Sequence, residues 1–441
     1  MNSWLSILLY FFVFAFSAVF IDFGIHKAPS IKYLKIINFK LQFNVWTSLG
    51  LLLPISLGFL RYGMGIDYAS YLEIYQYFAD GRVVDWHVDN ISRIELFFQW
   101  LAKFSHFTTN TPIIFFGIAW TLTILFVFYG IKRWSTNLDQ KFFPLVWFMV
   151  LPIITAIGFN QVRQMLAIAI LFYSSVYLLK MNIKNIIKYF FFGICAVFCH
   201  RSALLVLSLL LIIRLSIIQG NKRPGTTYTL IKILIISLIP ALIITLYAIA
   251  SSIQLPYLDE FTRLLFINGN VRGNIFGIAD IRPENLILIS IFLPALLWCI
   301  HEKANNDDLY FRLLSLFTGL GFILTTLSFF IMNGERVAQY FILYPVIVYY
   351  VYLAKPFSKI KISLPLILLF MIMVLGWQGV VPYHSLFEKK VDINAINSLS
   401  VRPPYSQVLC STGVISCRDK IYFDNKVRDS FYYEEGYIWK P

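Results

Sequence analysis

The sequence predicts an all-α membrane protein that crosses the bilayer about twelve times. Hydrophobic residues make up 59% of the 441-residue chain and charged residues only 14%, whereas soluble domains carry about 25% charged residues. Apolar stretches of about 20 residues, the length that spans a bilayer as a helix, recur along most of the chain. Basic residues gather in alternate connections between these stretches, as expected of a multi-pass protein.

Each apolar stretch is predicted to be one membrane-spanning helix, including the first stretch of the chain. The first stretch has neither a basic segment before it nor a small-residue cleavage site after it, so it is predicted to be an uncleaved helix rather than a signal peptide. The twelve predicted spans lie near residues 4–21, 44–60, 111–130, 142–157, 164–180, 182–199, 202–219, 231–252, 285–300, 313–332, 337–354 and 362–380.

Six clusters of basic residues give the predicted orientation. With twelve spans all six fall on one face, which the positive-inside rule makes cytoplasmic, and both termini then lie outside. This orientation accounts for most of the net charge of +14, so no nucleic-acid partner is expected. The clusters are Lys27, Lys32, Lys35 and Lys40; Lys132, Arg133 and Lys141; Lys180, Lys184 and Lys188; Arg214, Lys222, Arg223 and Lys232; Lys303 and Arg312; and Lys355, Lys359 and Lys361.

Residues 190–213 allow two interpretations. As one helix they would place His200 and Arg201 at the bilayer centre, where an arginine costs about 2.5–3.5 kcal/mol on insertion scales. As two helices turning at His200–Arg201 they avoid that cost and keep both flanking basic clusters inside. The eight bases beyond residue 380 favour the opposite parity for the second half, but long segments weigh less in this rule. The hairpin is therefore the preferred prediction.

The predicted outer face carries two large loops, 61–110 and 253–284. The first holds six acidic residues and the second holds Arg263, Arg272 and Arg282. Segments 68–78 and 91–104 of the first loop predict helices that lie along the membrane surface, with apolar residues on one face. In the second of these helices the polar face is predicted to hold Ser92, Glu95, Gln99 and Lys103.

The segment RYGMGIDYASY, residues 61–71, follows the second predicted span. Arg61 ends that span, and Asp67 follows among tyrosines. Asp67 is a candidate to accept a proton from a sugar hydroxyl, with Tyr68 and Tyr71 stacking on sugar rings. The alternative interpretation is a helix cap beside an interfacial aromatic belt.

The segment FNQVRQMLA places Arg163 and Gln164 at the outer start of a predicted span. Backbone N–H groups and the positive end of the helix dipole make a helix N-terminus favourable for anions and unfavourable for cations. An arginine there is therefore expected to have an anionic partner, and arginine binds phosphate bidentately. The alternative is an arginine that reaches to lipid headgroups.

Two further outer turns carry charged or titratable residues. His200 and Arg201 lie in FCHRSALL, where His200 is a candidate proton carrier because its unperturbed pKa is about 6.5. Glu335 and Arg336 lie in NGERVAQYF. The alternatives are a polar hairpin tip for the first pair and a surface ion pair, worth at most about 1 kcal/mol, for the second.

Taken in chain order, these motifs resemble the EpsG family of bacterial polysaccharide polymerases, which belongs with the Wzy-type polymerases of O-antigen and capsule. The pattern is a span ending in Arg followed by G-x-D-x-x-x-Y, a helix beginning R-Q-x-L-A, an H-x-S turn and a late R-x-x-x-Y. It extends over roughly residues 1–380. The matching residues are Arg61, Gly65, Asp67 and Tyr71; Arg163, Gln164, Leu166 and Ala167; His200 and Ser202; and Arg336 and Tyr340.

The resemblance implies a polyprenol-dependent glycosyltransferase of the GT-C architecture, with a polymerase domain over residues 1–380. The tail, residues 381–441, lies beyond the resemblance, and the predicted topology places it in the periplasm. Such an enzyme would join repeat units carried on undecaprenyl diphosphate at the periplasmic face of a bacterial inner membrane. Donor and acceptor lipids and the surrounding membrane lipids are its expected partners, and a chain-length regulator is a candidate partner. No cofactor is expected, and the lack of an Asp-x-Asp pair favours metal-independent chemistry.

The reaction suggests a role for each candidate residue. Charge on the departing diphosphate needs fixed cations, and the candidates are Arg163 and Arg336, with Arg201 third. The attacking hydroxyl needs a base, for which Asp67 is the first candidate and His200 the alternative. The remaining candidates for substrate binding are Arg61, Gln164, Tyr340, Tyr68 and Tyr71.

Two other functions use the same ligands. A lipid-linked oligosaccharide flippase would also hold a diphosphate, but transporters usually show internal repeats and polar sites at mid-membrane, which this sequence lacks. An O-antigen ligase uses the same donor with a lipid A–core acceptor. The sequence alone separates ligase from polymerase poorly.

Overall fold

A computed structural model describes residues 3–26, 33–36, 39–42, 44–59, 71, 74–75, 77–79, 94–109, 111–136, 138, 140–218, 283–303, 309–328 and 334–354. The described chain is helical apart from its turns and one two-stranded hairpin. The strands are β1 (Tyr33–Ile36) and β2 (Phe39–Gln42), antiparallel with Tyr33 opposite Gln42. The helices are α1 (Ser3–His26), α2 (Val45–Phe59), α3 (Leu96–Thr109), α4 (Pro112–Trp134), α5 (Phe143–Asn160), α6 (Val162–Ser175), α7 (Ile183–Cys199), α8 (Ala203–Ile218), α9 (Pro283–Lys303), α10 (Leu309–Leu327), α11 (Gly334–Gln339) and α12 (Leu343–Ala354). Short 3₁₀ helices cover Gln140–Phe142 and Val176–Leu179.

Ten of the twelve predicted spans fall on these helices, while spans 231–252 and 362–380 lie outside the described residues. Within the described part of the chain, four helical stretches are long and apolar enough to cross a bilayer: Pro112–Trp134, Gln140–Phe159, Val162–Leu179 and Leu309–Leu327. Shorter apolar helices cover Tyr10–His26, Val45–Phe59, Ala203–Leu215, Leu288–Cys299 and Leu343–Leu353. The chain is therefore a helical membrane protein, whereas the number twelve and the GT-C architecture remain predictions.

The predicted turn at His200–Arg201 is confirmed. Helix α7 ends at Cys199 and α8 begins at Ala203. Two contacts join these helices. The Tyr189 hydroxyl donates to the Leu207 carbonyl at 2.6 Å, and Gly193 leaves room for the Leu207 side chain. Residues 190–213 thus form a helical hairpin rather than one helix.

The prediction of one continuous helix over 337–354 is wrong. Helix α11 ends at Gln339 and α12 begins at Leu343, with i to i+3 hydrogen bonds between them. Pro345 has no N–H to donate to the Phe341 carbonyl, and its ring would clash with that carbonyl in a continuous helix. The Phe341 carbonyl instead accepts from the Tyr344 N–H at 3.1 Å. The break gives Tyr340 a position at the end of a short helix.

The predicted surface helix in the first loop also needs correction. Helix α3 begins at Leu96, and Glu95 lies before it and is buried, so Glu95 does not belong to an exposed polar face. The exposed face carries Trp100, 75% exposed, and Phe107, 88% exposed, together with Lys103. Exposed aromatic residues beside a lysine are typical of a helix in contact with lipid.

The described residues fall into two compact units. The first draws on Met1–Phe128 and Asp139–Leu166, and the second on Tyr129–Leu138 and Ala167–Lys359. In the first, the Trp147 indole donates to the Ser17 hydroxyl at 2.9 Å, and that hydroxyl donates to the Gly50 carbonyl at 2.5 Å. Pro54 lacks the N–H that would otherwise reach Gly50 in helix α2, so Ser17 replaces the missing donor.

The core of the second unit is built on aromatic side chains. Trp134 is buried among the rings of Tyr310, Phe317 and Tyr344. The Tyr310 hydroxyl donates to the Trp134 carbonyl at 2.7 Å, and the Trp134 indole donates to the Ser175 hydroxyl at 3.3 Å. These buried polar groups are therefore satisfied within the core.

Candidate functional site

Arg163 lies in the first turn of helix α6, as the sequence predicts. A single residue, Gln161, separates α5 from α6, and its backbone N–H donates to the Ile157 carbonyl at 2.6 Å. The Met165 N–H donates to the Gln161 carbonyl at 2.8 Å, which starts the next helix. The tight connection holds the backbone of Arg163 in place.

Within the described residues, Arg163 pairs with a carboxylate of the chain itself, that of Glu95. The Arg163 Nη1 donates to Glu95 Oε2 at 2.5 Å. The Glu95 side chain is 2% exposed and that of Arg163 is 22% exposed. The first turn of helix α3 holds the backbone of Glu95 in place. The Glu95 backbone carbonyl accepts from the N–H groups of Phe98 and Gln99 at 3.0 and 3.3 Å.

Tyr71 supports the same arginine from a third segment. Its hydroxyl accepts from the Arg163 backbone N–H at 3.5 Å, and the guanidinium carbon lies 5.8 Å from its ring centroid. The aromatic face attracts the cation at this distance. Tyr71 is buried, so the structure places it against Arg163 rather than on an exposed surface.

The guanidinium keeps hydrogen-bonding capacity beyond its bond to Glu95. Arg163 Nε and Gln161 Oε1 are both buried, and neither has a hydrogen-bond partner among the residues that the structure describes. Gln164 lies one residue after Arg163 and is also buried. Because Glu95 offsets the charge, this cluster would hold an anion through directed hydrogen bonds more than through net charge.

A second cluster forms in the second unit around His200. The residue caps helix α7, where its backbone N–H donates to the Ala196 carbonyl at 2.9 Å. Its Nδ1 lies 2.6 Å from the Ser202 hydroxyl and 3.3 Å from the Tyr340 hydroxyl. The two hydroxyls are 2.9 Å apart. Residues of two predicted motifs, 138 positions apart, thus share one hydrogen-bonded triangle.

The triangle holds the imidazole ring of His200 through Nδ1. Both hydroxyls engage Nδ1, and each can donate or accept. If Nδ1–H donates to Ser202, the other nitrogen, Nε2, carries a lone pair and can accept a proton. Tyr340 is 2% exposed, so its hydroxyl is held in position by the surrounding core. The geometry suits a histidine that exchanges a proton through Nε2.

Of the other predicted site residues, the structure describes Arg201 and Arg336 but not the rest. Arg201 is half-buried beside His200, and Arg336 is exposed on α11, one turn before Tyr340. Arg61, Asp67, Tyr68 and the Glu335 side chain lie outside the described residues.

Glu95 was not predicted to be the partner of Arg163, and Ser202 was predicted only as part of the H-x-S motif. A signal for Glu95 was present, since a lone acid between Ile94 and Leu96 at the start of an apolar helix suggests a buried carboxylate with a cationic partner. For Ser202 the structure shows the hydrogen bonds that its motif position left unspecified.

Comparison with known proteins gives one result. The model of the EpsG family matches residues 43–385. The matched range includes both clusters and begins after helix α1, whereas the resemblance in the sequence was placed from residue 1 onward. The searches of the curated proteins and of the solved structures returned no significant match.

Proposed function

Because the chain belongs to the EpsG family of Wzy-type polysaccharide polymerase-like proteins, we propose that it polymerises O-antigen or capsule repeat units. It joins oligosaccharides carried on undecaprenyl diphosphate at the periplasmic face of the bacterial inner membrane. The match over residues 43–385 is the observation that carries this proposal. Helices long enough to cross a bilayer agree with a lipid-linked substrate.

The proposed reaction is a glycosyl transfer between two lipid-linked glycans. A hydroxyl of the incoming repeat unit attacks the anomeric carbon of the growing chain and forms the new glycosidic bond. The bond between that carbon and the diphosphate oxygen breaks, and undecaprenyl diphosphate departs with the bonding electrons. The hydroxyl proton passes to a base on the protein. The reaction therefore needs a proton acceptor and a site for the departing anion.

His200 is the proposed proton acceptor within the described residues. The triangle with Ser202 and Tyr340 supports this role, because two hydroxyls at Nδ1 hold the imidazole ring in one orientation. A well-placed general base contributes about 10²–10⁴-fold in rate. Asp67 stays the first candidate for the base from the sequence. Variants at Asp67 and at His200 show which of the two residues accepts the proton.

Arg163 is the proposed ligand of the departing diphosphate. Its contacts with Glu95 and Tyr71 support this role, since a donor that is already held in place needs no reorganisation when charge develops. Arg336 and Arg201 are proposed as further cations, and Gln164 as a further polar contact. The chemistry is proposed to proceed without a metal ion.

Reconstitution tests the proposal. The purified full chain is mixed with undecaprenyl-diphosphate-linked repeat units without any lipid A–core acceptor, and the products are separated by size. A ladder of increasing length is expected. Transfer that occurs only after lipid A–core is added would identify a ligase. Movement of the lipid-linked oligosaccharide across vesicle membranes without any new glycosidic bond would identify a flippase.

A further inference from the structure

A further group of aromatic and basic side chains, separate in sequence from the residues of both clusters, occurs in the second unit. Arg133 lies in the last turn of α4, Tyr173 and Tyr177 lie in α6 and the 3₁₀ helix that follows it, and Lys188 and Phe192 lie on α7. These five residues form the aromatic–basic patch. It lies at the ends of two of the stretches long enough to cross a bilayer, where lipid headgroups are found.

The aromatic rings hold the two cations of the patch close together. The Arg133 guanidinium carbon lies 4.5 Å from the Tyr173 ring centroid and 5.0 Å from that of Tyr177. The Lys188 ammonium lies 5.6 Å from the same Tyr177 centroid. Phe192 stacks on Tyr177 with 5° between the ring planes. Such contacts orient the cations, but they do not neutralise them.

Within the described residues, neither Arg133 nor Lys188 forms a salt bridge with a carboxylate. No Asp or Glu occurs between Asp139 and Asp259, whereas Lys180 and Lys184 add to the positive charge of the same region. The Arg133 side chain makes no hydrogen bond within the described residues; its described contacts are the two tyrosine rings. Two like charges and unused N–H donors are a suitable site for an anion that accepts several hydrogen bonds, such as a phosphate.

The neighbouring surface indicates that this phosphate belongs to a lipid. Helix α7 exposes apolar side chains at Ile183, which is 75% exposed, and at Ile187 and Phe191. Their spacing of four residues places them on one helical face. Lys184 and Lys188 each follow a member of that series by one residue, at its edge. A molecule with a phosphate on the patch would therefore have an apolar face beside it for its acyl chains.

We propose that the aromatic–basic patch binds the headgroup phosphate of an anionic phospholipid, whose acyl chains lie along the exposed face of α7. The positive-inside rule assigns this end of the spans to the cytoplasmic leaflet. The site is separate from the chemistry proposed above and does not depend on it.

Lipid titration followed by native mass spectrometry tests the proposal. The purified full chain is titrated with phosphatidylglycerol, with phosphatidylcholine of the same acyl chains, with inorganic phosphate and with undecaprenyl phosphate. The double variant R133Q/K188Q should bind phosphatidylglycerol roughly 30-fold more weakly. Each of the two basic residues is expected to contribute about half of this loss in binding free energy. The matched control K103Q/K420Q removes two lysines that the predicted topology places on the opposite face of the membrane, and it should bind nearly as the unaltered protein does.

Four outcomes would overturn the proposal. Equal losses in the two double variants would show a general charge effect, and equal binding of phosphatidylcholine would show that the anionic headgroup is not selected. Displacement of the lipid by inorganic phosphate at similar concentration would show a simple anion site. Tighter binding of undecaprenyl phosphate than of phosphatidylglycerol would assign the patch to an isoprenoid ligand. Thermal unfolding of both double variants checks that they fold.

Discussion

Removing the members of the Arg163–Glu95 ion pair one at a time tests how far the site depends on it. Breaking a buried pair costs about 3–5 kcal/mol when the remaining charge stays buried. Glu95 is 2% exposed, so Arg163→Met leaves a carboxylate with almost no access to water and should fall at the upper end of that range. Arg163 is 22% exposed, so Glu95→Ala should cost less, about 2–3 kcal/mol after partial hydration of the cation.

The double variant R163M/E95A tests whether the two charges stabilise each other. Because neither charge remains, its free energy of unfolding should exceed the value expected from adding the two single losses, by about 1–3 kcal/mol. Unfolding by sodium dodecyl sulfate in mixed micelles, followed by tryptophan fluorescence, measures all four proteins. Lys103→Gln serves as the control, since it removes an exposed charge from helix α3 and should change stability by no more than about 0.5 kcal/mol.

Additive losses in this cycle would refute the reasoning. They would mean that Arg163 and Glu95 do not stabilise each other. The role of Arg163 would then have to come from a ligand alone. A larger loss for Glu95→Ala than for Arg163→Met would contradict the ranking by burial.

Three further predictions follow from the described contacts. Tyr340→Phe should lower kcat roughly 10- to 100-fold and change its pH dependence, because the mutation removes one hydroxyl that positions His200. The control Tyr349→Phe removes a half-buried hydroxyl bonded to a backbone carbonyl and should leave the pH profile unchanged; matching profiles of the two variants would contradict the positioning role. Arg163→Lys keeps the charge but loses the planar fork, so polymer synthesis should fall strongly at normal expression; polymer of unaltered length from this variant would show that Arg163 is only an interfacial anchor. Ser17→Ala should lower the free energy of unfolding by roughly 2–4 kcal/mol, since two buried polar groups lose their partner; a loss no greater than that of an exposed serine would contradict this account.

The sequence predicts those parts of the fold that depend on local patterns. The ends of α5 and α6 around Gln161 agree with the prediction to within a few residues, because a polar group of residues interrupts two long apolar stretches. The turn at His200 is likewise predictable from the sequence, since one continuous helix would place Arg201 at the centre of the bilayer, where a charge is unfavourable. Both features follow from where polar residues occur along the chain.

The helix break at Tyr340 illustrates why other features are not predictable. Pro54, Pro152 and Pro294 lie inside continuous helices, whereas Pro345 follows a break. A proline removes the same donor in each case. At Pro54 a hydroxyl from another helix, that of Ser17, satisfies the freed Gly50 carbonyl, and the local sequence does not reveal this contact. That information is tertiary, and the pairing of Glu95 with Arg163 across 68 positions is tertiary for the same reason.

The Ser17–Gly50 hydrogen bond fixes the register between helices α1 and α2. Gly50 allows the close approach, because an added Cβ would lie 2.8 Å from the Ser17 carbonyl oxygen. A slide of one helical turn, about 5.4 Å, would withdraw the hydroxyl from the carbonyl that Pro54 leaves without a donor. The two helices are therefore expected to shift as one rigid strut whenever the first unit changes shape.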